Sequence, residues 1–550
     1  MNLLKVKGHR DFLFFSFYTA IFVVTFYKYK SVNKYIFREL HLNEIFLCFF
    51  LEVYPNNIIF YHGWSISDNM IQKSLKKNAV YSFIKALMNL AFPLISFPYA
   101  SRILLPAGIG KVNFANSVIE YFTLAASLGI FSYAAREAVR VRDDKHALNK
   151  IFREVLTINL ISTTISYTLL FFALVFVSKF SEYRVLLIVC STKILFTTIG
   201  VDWIFNVHEE YRYVTVRSII FQIISLVLLF VFVRTPDDYV AYAFMGVFSS
   251  VGSNVCNIFY SRKFVNFFDK TKIEIKRHLK PIFTFFGMSV ASKMHTAIDS
   301  VMLGFLLTDS AVGYYSAANK IKGLVVGLIT AILATLLPRS SYYLGQNKSD
   351  EYQKIVSKSL NFSLFFSLPA AVGIMLVARP LILLFSGEDF LAALPSMLIM
   401  SPVIVFIAVA SFTDNMILLP QRMERVSLQS QIIGCVLNVL LNLFLIPLWG
   451  VFGAAFATFA VEGIITIYKV SFSLKHIGHC GFFKNLAKVS LSCLFMAAVV
   501  LLVLHFITNT FLQLILGITA GCTVYAASTL LLRADTAIML SETVRKKIKK

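Results

Sequence analysis

Residues 154–177 read EVLTINLISTTISYTLLFFALVFV, with a single charged side chain, Glu154, at the first position. As a helix rising 1.5 Å per residue, this stretch would cross a hydrocarbon core about 30 Å thick. The pattern repeats in both directions. From Ala79 to Leu532, long apolar stretches alternate with short polar breaks fourteen times. Helices are expected near 79–101, 112–135, 154–177, 185–206, 213–233 and 239–261, then 281–307, 312–337, 359–385, 390–419, 426–446 and 450–468, and finally 486–507 and 511–532. Backbone polar groups cannot go unpaired in lipid, which excludes open sheet for such runs. The expected fold class is an all-α polytopic membrane protein of about fourteen transmembrane helices.

Composition agrees. The 550 residues are 57% hydrophobic and 15% charged, with a mean hydropathy of +0.73, whereas soluble domains carry about a quarter charged residues. The net charge of +23 is not a nucleic-acid patch, because the basic residues gather in alternate loops. One set holds Arg136, Arg140, Arg142, Lys145, Lys150 and Arg153, then Arg262 to Lys280, then Lys469, Lys475, Lys484 and Lys488, then the tail from Arg545 to Lys550. The opposite loops hold little beyond Arg102, Lys111, Lys179, Arg184 and Arg234. Positive residues stay on the cytoplasmic side, so both chain ends are expected there. The loops facing out are short and leave no room for a soluble catalytic module. Seven scattered cysteines without a C-x-x-C spacing give neither a zinc ribbon nor a disulfide framework.

An internal repeat is readable. Leu104-Leu105-Pro106-Ala107-Gly108-Ile109-Gly110 leads into Lys111-Val112-Asn113-Phe114-Ala115-Asn116; further on, Leu306-Leu307-Thr308-Asp309-Ser310-Ala311-Val312-Gly313 leads into Tyr314-Tyr315-Ser316-Ala317-Ala318-Asn319, with Gly313 to Asn319 standing 203 residues after Gly110 to Asn116. Val214 and Ser218 are echoed by Val426 and Ser430, 212 residues on. Two matches at nearly one period point to duplication, with both copies starting from the same side, as parallel repeats do. The expected organisation is an N-lobe of helices 1–6 (70–262), a cytoplasmic linker (263–280), a C-lobe of helices 7–12 (281–475), helices 13–14 (484–533) and a basic tail (534–550). Residues 1–69 differ in composition, with one alanine and eleven phenylalanines. They are expected to be an atypical extension, with Met70 as the start.

The sequence has no Walker A, H-E-x-x-H, G-x-S-x-G or EF-hand pattern, and thus no sequence-level ATPase, metal site or cofactor. Asp143-Asp144 and Asp237-Asp238 sit in loops, where acids commonly cap turns. Transport driven by a substrate gradient or by a coupling ion, H+ or Na+, is the expectation. Charges inside spans are costly in lipid and usually face a bundle interior. Lys293 lies twelve residues into its helix, about 18 Å deep at 1.5 Å per residue. His295 and Asp299 share that helix, Glu462 is central in the twelfth span, Lys193 and Glu120 lie halfway along theirs, and Lys320 and Lys322 occupy the eighth. Arg102, Asp202 and Arg217 sit nearer helix ends, where snorkelling competes. Two readings stand side by side. In one, these groups are ion pairs that tie helices together. In the other, Lys293, Lys193, Lys320, Arg102 and Arg217 line a hydrated cavity for an anionic substrate, and Asp299, Glu462, Glu120 and Asp202 serve a coupling ion. Pro93, Pro98, Pro369, Pro395 and Pro402 interrupt spans and should kink them. Asn89, Asn116, Asn319, Asn438 and Asn442 suit either sugar hydroxyls or interhelical bonds.

Several motifs resemble the bacterial polysaccharide (O-antigen repeat-unit) flippases. Leu75-Lys76-Lys77-Asn78-Ala79-Val80-Tyr81-Ser82 with Phe92-Pro93-Leu94-Ile95-Ser96-Phe97-Pro98-Tyr99-Ala100-Ser101-Arg102-Ile103-Leu104 is similar to their opening. Gly200-Val201-Asp202-Trp203-Ile204-Phe205 before Glu209-Glu210 resembles their fourth-helix motif, and Ile446-Pro447-Leu448-Trp449-Gly450-Val451-Phe452-Gly453 their eleventh-to-twelfth turn. The likeness covers about 75–540. It implies the multidrug/oligosaccharidyl-lipid/polysaccharide exporter fold, in which two six-helix lobes alternate their opening around a central cavity. It also implies an undecaprenyl-diphosphate-linked oligosaccharide as substrate, moved across the bacterial cytoplasmic membrane, with a polysaccharide polymerase and a chain-length regulator as partners. Lipid II flippases, whose essential arginines have no residue-by-residue match here, and multidrug or cation antiporters are the related alternatives. A membrane polysaccharide polymerase is the alternative from another class.

Overall fold

The computed structural model describes residues 68–267, 273–476 and 482–548. The expectations for residues 1–67 and for the middle of the linker lie outside the described residues. Residues 62–537 form one compact unit, and the chain from Ile538 belongs to another.

Most residues of the expected stretches are helical, with breaks at Leu128, Gly129 and Val201. Among the described residues, ten helices are long and apolar enough to cross a membrane. The first half contains α1 (Asp68–Ser127), α2 (Ile130–Val139), α3 (Lys145–Phe176), α4 (Arg184–Gly200), α5 (Asp202–Val207), α6 (Tyr211–Phe232), α7 (Tyr239–Val247) and α8 (Asn254–Ser261). The second half contains α9 (Lys276–Leu306), α10 (Asp309–Gly345), α11 (Ser349–Leu376), α12 (Ala378–Phe385), α13 (Leu394–Thr413), α14 (Glu424–Trp449) and α15 (Val451–Ser473). After these come α16 (Phe482–Phe506), α17 (Thr510–Leu531) and α18 (Asp535–Ile548). The sixth and tenth expected spans are helices interrupted by wide turns at Phe248–Gly252 and Asp414–Leu418, a device common near functional sites.

The stretch at 154–177 shows why these helices hold together. Along α3, Ile161, Ile165, Leu169, Phe172 and Phe176 are exposed, while Ser162, Thr163 and Ser166 are buried. Spacings of three and four place each set on one helix face. The polar face is thus the inner one. Ser166 donates to the Phe122 carbonyl at 2.7 Å, and the Thr163 and Thr198 hydroxyls meet at 2.6 Å. In lipid, apolar surface gains nothing by burial against another helix, so small residues and hydrogen bonds carry the packing.

The repeat turns up as a reciprocal contact. Within α1 the helix breaks at Leu105, with φ 59° and ψ 174°. The following Pro106 disfavours the helical region for its predecessor and suits the first turn of the next limb. In the second half the same break falls between α9 and α10, where Thr308 caps α10 by accepting from the Ala311 N–H. These two turns press together at their glycines. A Cβ on Gly110 would stand 1.7 Å from the Asp309 carbonyl oxygen, and one on Gly313 would stand 2.1 Å from that of Pro106. The 203-residue offset relates Pro106 to Asp309 and Gly110 to Gly313, so each glycine packs on the counterpart of its own neighbour. Only glycine permits so close an approach.

The 212-residue period is also visible in side-chain chemistry. Asp202 accepts from the Asn257 amide at 2.8 Å, and Asp414 accepts from Lys469 Nζ at 2.6 Å. Asp202 and Asp414 are 212 residues apart, as are Asn257 and Lys469. Each half therefore ties its fourth expected span to its sixth through one aspartate. This corrects the placement of Lys469: it is a 2%-exposed residue inside α15, not a loop cation, because the helix runs five residues beyond the expected end at 468.

Candidate functional site

Beyond the crossing at Gly110 and Gly313, the second limb of α1 and the start of α10 diverge. A cavity of about 250 Å³ opens there, lined by Asn113, Asn116, Ser117 and Glu120 from α1, Ala297 and Ser300 from α9, and Ser316, Asn319 and Lys320 from α10. Residues 113, 116, 117 and 120 lie on one helix face by their spacing, and so do 316, 319 and 320. The 203-residue offset pairs Asn113 with Ser316, Asn116 with Asn319 and Ser117 with Lys320. The two walls are thus related copies, with a cation on one and an acid on the other.

Aromatic rings pack on the crossing side. Phe97 stacks on Phe385 at 5.4 Å between centroids, and Phe114 meets Tyr183 at 4.9 Å and Phe305 at 5.5 Å. The Tyr183 hydroxyl donates to Asp309. Arg102 donates to the carbonyls of Pro98 and Leu384, joining the first limb of α1 to the C-terminal end of α12.

Two of the nine candidate residues, Lys320 and Glu120, line the cavity, and a third, Lys193, pairs with Glu120. Lys320 lines it, with Nζ 4.6 Å from the centre of the Phe97 ring, a cation–π geometry. Among the described residues, Lys320 makes no ion pair. Glu120 lines it too and accepts from Lys193 Nζ at 2.6 Å, so the Lys193 charge is met by an acid. The remaining cations lie elsewhere. Arg102 holds carbonyls at the crossing end. Arg217 is 7% exposed inside the first half, bonded to Asp202 at 3.1 Å and to Asn254 and Asn257. Its helix-joining role follows from this network, which also takes up Asp202. Lys293 lies in α9 within 291–296, where the side chains fall outside the described residues.

Asp299 anchors a second polar cluster, buried in the second half. It is 2% exposed. It accepts from the Asn442 amide at 2.6 Å, from the Thr458 hydroxyl at 2.9 Å and from the Tyr315 hydroxyl. Asn442 also donates to Asn438 at 3.0 Å, while its own carbonyl oxygen is buried without a partner. Glu462, one turn beyond Thr458 on α15, is 9% exposed. The loop acids act as caps: Asp144 accepts from the His146 and Ala147 N–H groups, and Asp238 from Arg234 and Thr235. These backbone donors hold the Asp238 carboxyl below its ordinary range.

Sequence reasoning overlooked Ser117, Ser300 and Ser316 in the cavity wall and the Phe97 ring beneath Lys320. The signal was present for the serines, since they keep helical spacing with Asn116, Asn319 and Asp299. Phe97 carried none, because its meeting with Lys320 joins two separate helices.

Known proteins share both sequence and shape with this chain. The family model described as polysaccharide biosynthesis protein matches residues 75–344, and the MatE model matches 285–444. A protein of Shigella dysenteriae named as an O-antigen transporter is 23% identical over 403 residues, covering 72% of this chain and 99% of its own. A protein of the same name from Escherichia coli is 24% identical over 409 residues, covering 74% and 98%. Among solved structures, the lipid II flippase MurJ in an inward closed conformation superposes with a TM-score of 0.65 at 19% identity, covering 83% of this chain and 99% of that one. That likeness is one of fold. With the motifs at Leu75–Ser82, Gly200–Phe205 and Ile446–Gly453, and with the paired glycine crossing, these matches support a flippase of the multidrug/oligosaccharidyl-lipid/polysaccharide exporter superfamily.

Proposed function

We propose that the protein carries undecaprenyl-diphosphate-linked oligosaccharide repeat units from the inner to the outer leaflet of the bacterial cytoplasmic membrane. It does so by alternating access between its two halves, and passes the units to a polysaccharide polymerase and chain-length regulator. The observation that carries this reading is Lys320: a cation at the cavity between the halves, on a polar wall, without an ion pair among the described residues. An ammonium within a membrane-spanning bundle is expensive unless charge or water meets it, and a diphosphate supplies that charge through strong charge-assisted hydrogen bonds. Lys293, midway along the helix that contributes Ala297 and Ser300 to the cavity, is its proposed companion. The lipid tail stays in the bilayer while the headgroup crosses. Asp299, with Asn442, Thr458 and Tyr315 around it, and Glu462 one turn from Thr458 are proposed to take up the coupling H+ or Na+, since ionisable groups buried inside a bundle mark ion pathways.

The experiment is a deletion strain complemented with Lys320→Ala or Lys320→Arg. Lipid-linked repeat units should accumulate on the inner leaflet with the alanine variant at normal membrane abundance, and the arginine variant should restore part of the export because the charge survives. Normal surface polysaccharide with the alanine variant would refute the assignment of Lys320. Absence of any lipid-linked intermediate in the deletion strain would refute the function.

A further inference from the structure

The asparagines along these helices fall into two groups by their partners. Asn89 accepts from Gln222 at 2.8 Å, Asn254 donates to the Phe196 carbonyl at 3.0 Å, Asn257 bonds Gly200, Asp202 and Arg217, and Asn438 and Asn442 belong to the Asp299 cluster. All but Asn438, which bonds Asn442 on its own helix, join one helix to another. Asn116 and Asn319 do not. Both line the cavity, and among the described residues neither side chain makes a hydrogen bond to the protein. They are counterparts in the 203-residue repeat, each six residues past its crossing glycine, or about 9 Å along its helix at 1.5 Å per residue. The two amides therefore stand at matching depth on the two walls.

We infer that Asn116 and Asn319 are the carbohydrate-reading pair of this site, hydrogen-bonding hydroxyl or acetamido groups of the sugar next to the diphosphate. The inference rests on the proposed function and assigns a division of labour within it. A carboxamide offers one acceptor oxygen and two N–H donors. A sugar hydroxyl both donates and accepts and can satisfy either end, whereas a fully ionised diphosphate has no donor and would leave the amide oxygens unmatched. Of these two walls, among the described residues, only that of α10 carries the cation needed for phosphate, Lys320 standing as the counterpart of Ser117. The walls are alike where neutral groups are read and unlike where charge is held. Ser117, Ser300 and Ser316 extend the neutral surface around the amides. A polar group shaped to a substrate hydroxyl discriminates strongly, because a ligand lacking it leaves the group unpaired.

The test uses the full chain purified in lipid nanodiscs. Two probes are compared by equilibrium binding: undecaprenyl diphosphate, and undecaprenyl diphosphate carrying an N-acetylhexosamine. The wild type should prefer the sugar-bearing lipid. Asn116→Ala and Asn319→Ala should each weaken binding of that lipid about five- to tenfold, the scale of a lost hydrogen bond, and leave the bare diphosphate lipid unchanged within a factor of about two. Lys320→Ala should weaken both. Equal loss on both lipids, or loss on neither, would overturn the carbohydrate role while leaving the flippase reading standing. Binding of neither lipid by the wild type would overturn the flippase reading itself. Thermal unfolding of the same samples guards against a structural effect. Without protein partners the amides should be removable at no cost in melting temperature, and a fall shared by the Asn→Ala and Asn→Ser variants would show that they hold helices instead.

Discussion

Replacing Gly110 by alanine tests the crossing that ties the two halves together. The added Cβ would lie 1.7 Å from the Asp309 carbonyl oxygen, 2.6 Å from its carbonyl carbon and 3.0 Å from the Gly313 nitrogen. All three are backbone atoms, so no rotamer change relieves the clash. A separation of 3.0 Å is the shortest that real Cβ atoms tolerate, so α1 and the start of α10 must part by at least 1.3 Å. Overpacking of this kind costs about 1–3 kcal/mol, which reduces the population of the closed crossing roughly 5- to 150-fold relative to an arrangement in which the turns are apart. Spin labels at Ala107 and Ser310, which are 203-residue counterparts, would report the separation in a background with the native cysteines replaced. Gly110→Ala should add a longer-distance component and impair export at normal membrane abundance. Gly246→Ala is the control: a Cβ there meets nothing within 4 Å, and alanine favours the helix, so both readouts should be unchanged. An unaltered distance distribution in Gly110→Ala, with full export, would refute the claim that the glycine contact holds this end closed.

Lys469→Ala leaves the Asp414 carboxylate without its 2.6 Å partner, so it should destabilise the protein by about 3 kcal/mol or more, as broken buried pairs do. Thermal unfolding of Lys469→Met with Asp414→Leu should recover most of that loss, and failure to recover would point to a role beyond pairing. If Asp299 serves the coupling ion, Asp299→Asn should abolish the dependence of transport on a Na+ or proton gradient in proteoliposomes, and a gradient response equal to wild type would exclude it. The lysine and arginine asymmetry predicts opposite sides for 136–153 and 234–238. Accordingly an impermeant thiol reagent applied outside spheroplasts should label Asp237→Cys and spare His146→Cys, and the reverse pattern would invert the topology.

Hydropathy and helix period are properties of consecutive residues, so the sequence by itself determined that the chain is helical, polytopic and duplicated. The paired motifs at Gly110 and Gly313 were legible for the same reason, and so was the cavity face once the spacing of Asn113, Asn116 and Glu120 is set beside that of Ser316, Asn319 and Lys320. Which charge meets which partner was decided by tertiary structure alone. Arg217 and Lys320 are both cations inside the bundle, yet the buried Arg217 finds Asp202, Asn254 and Asn257 within its own half while the half-buried Lys320 lies on a cavity wall above Phe97. Lys469, expected in a loop, is drawn into the membrane-spanning bundle by Asp414, 55 residues earlier in the chain. Such assignments depend on how helices rotate about their axes and against which neighbours they pack. Each is set by contacts between residues far apart in sequence, and hydropathy summed along one segment does not contain them.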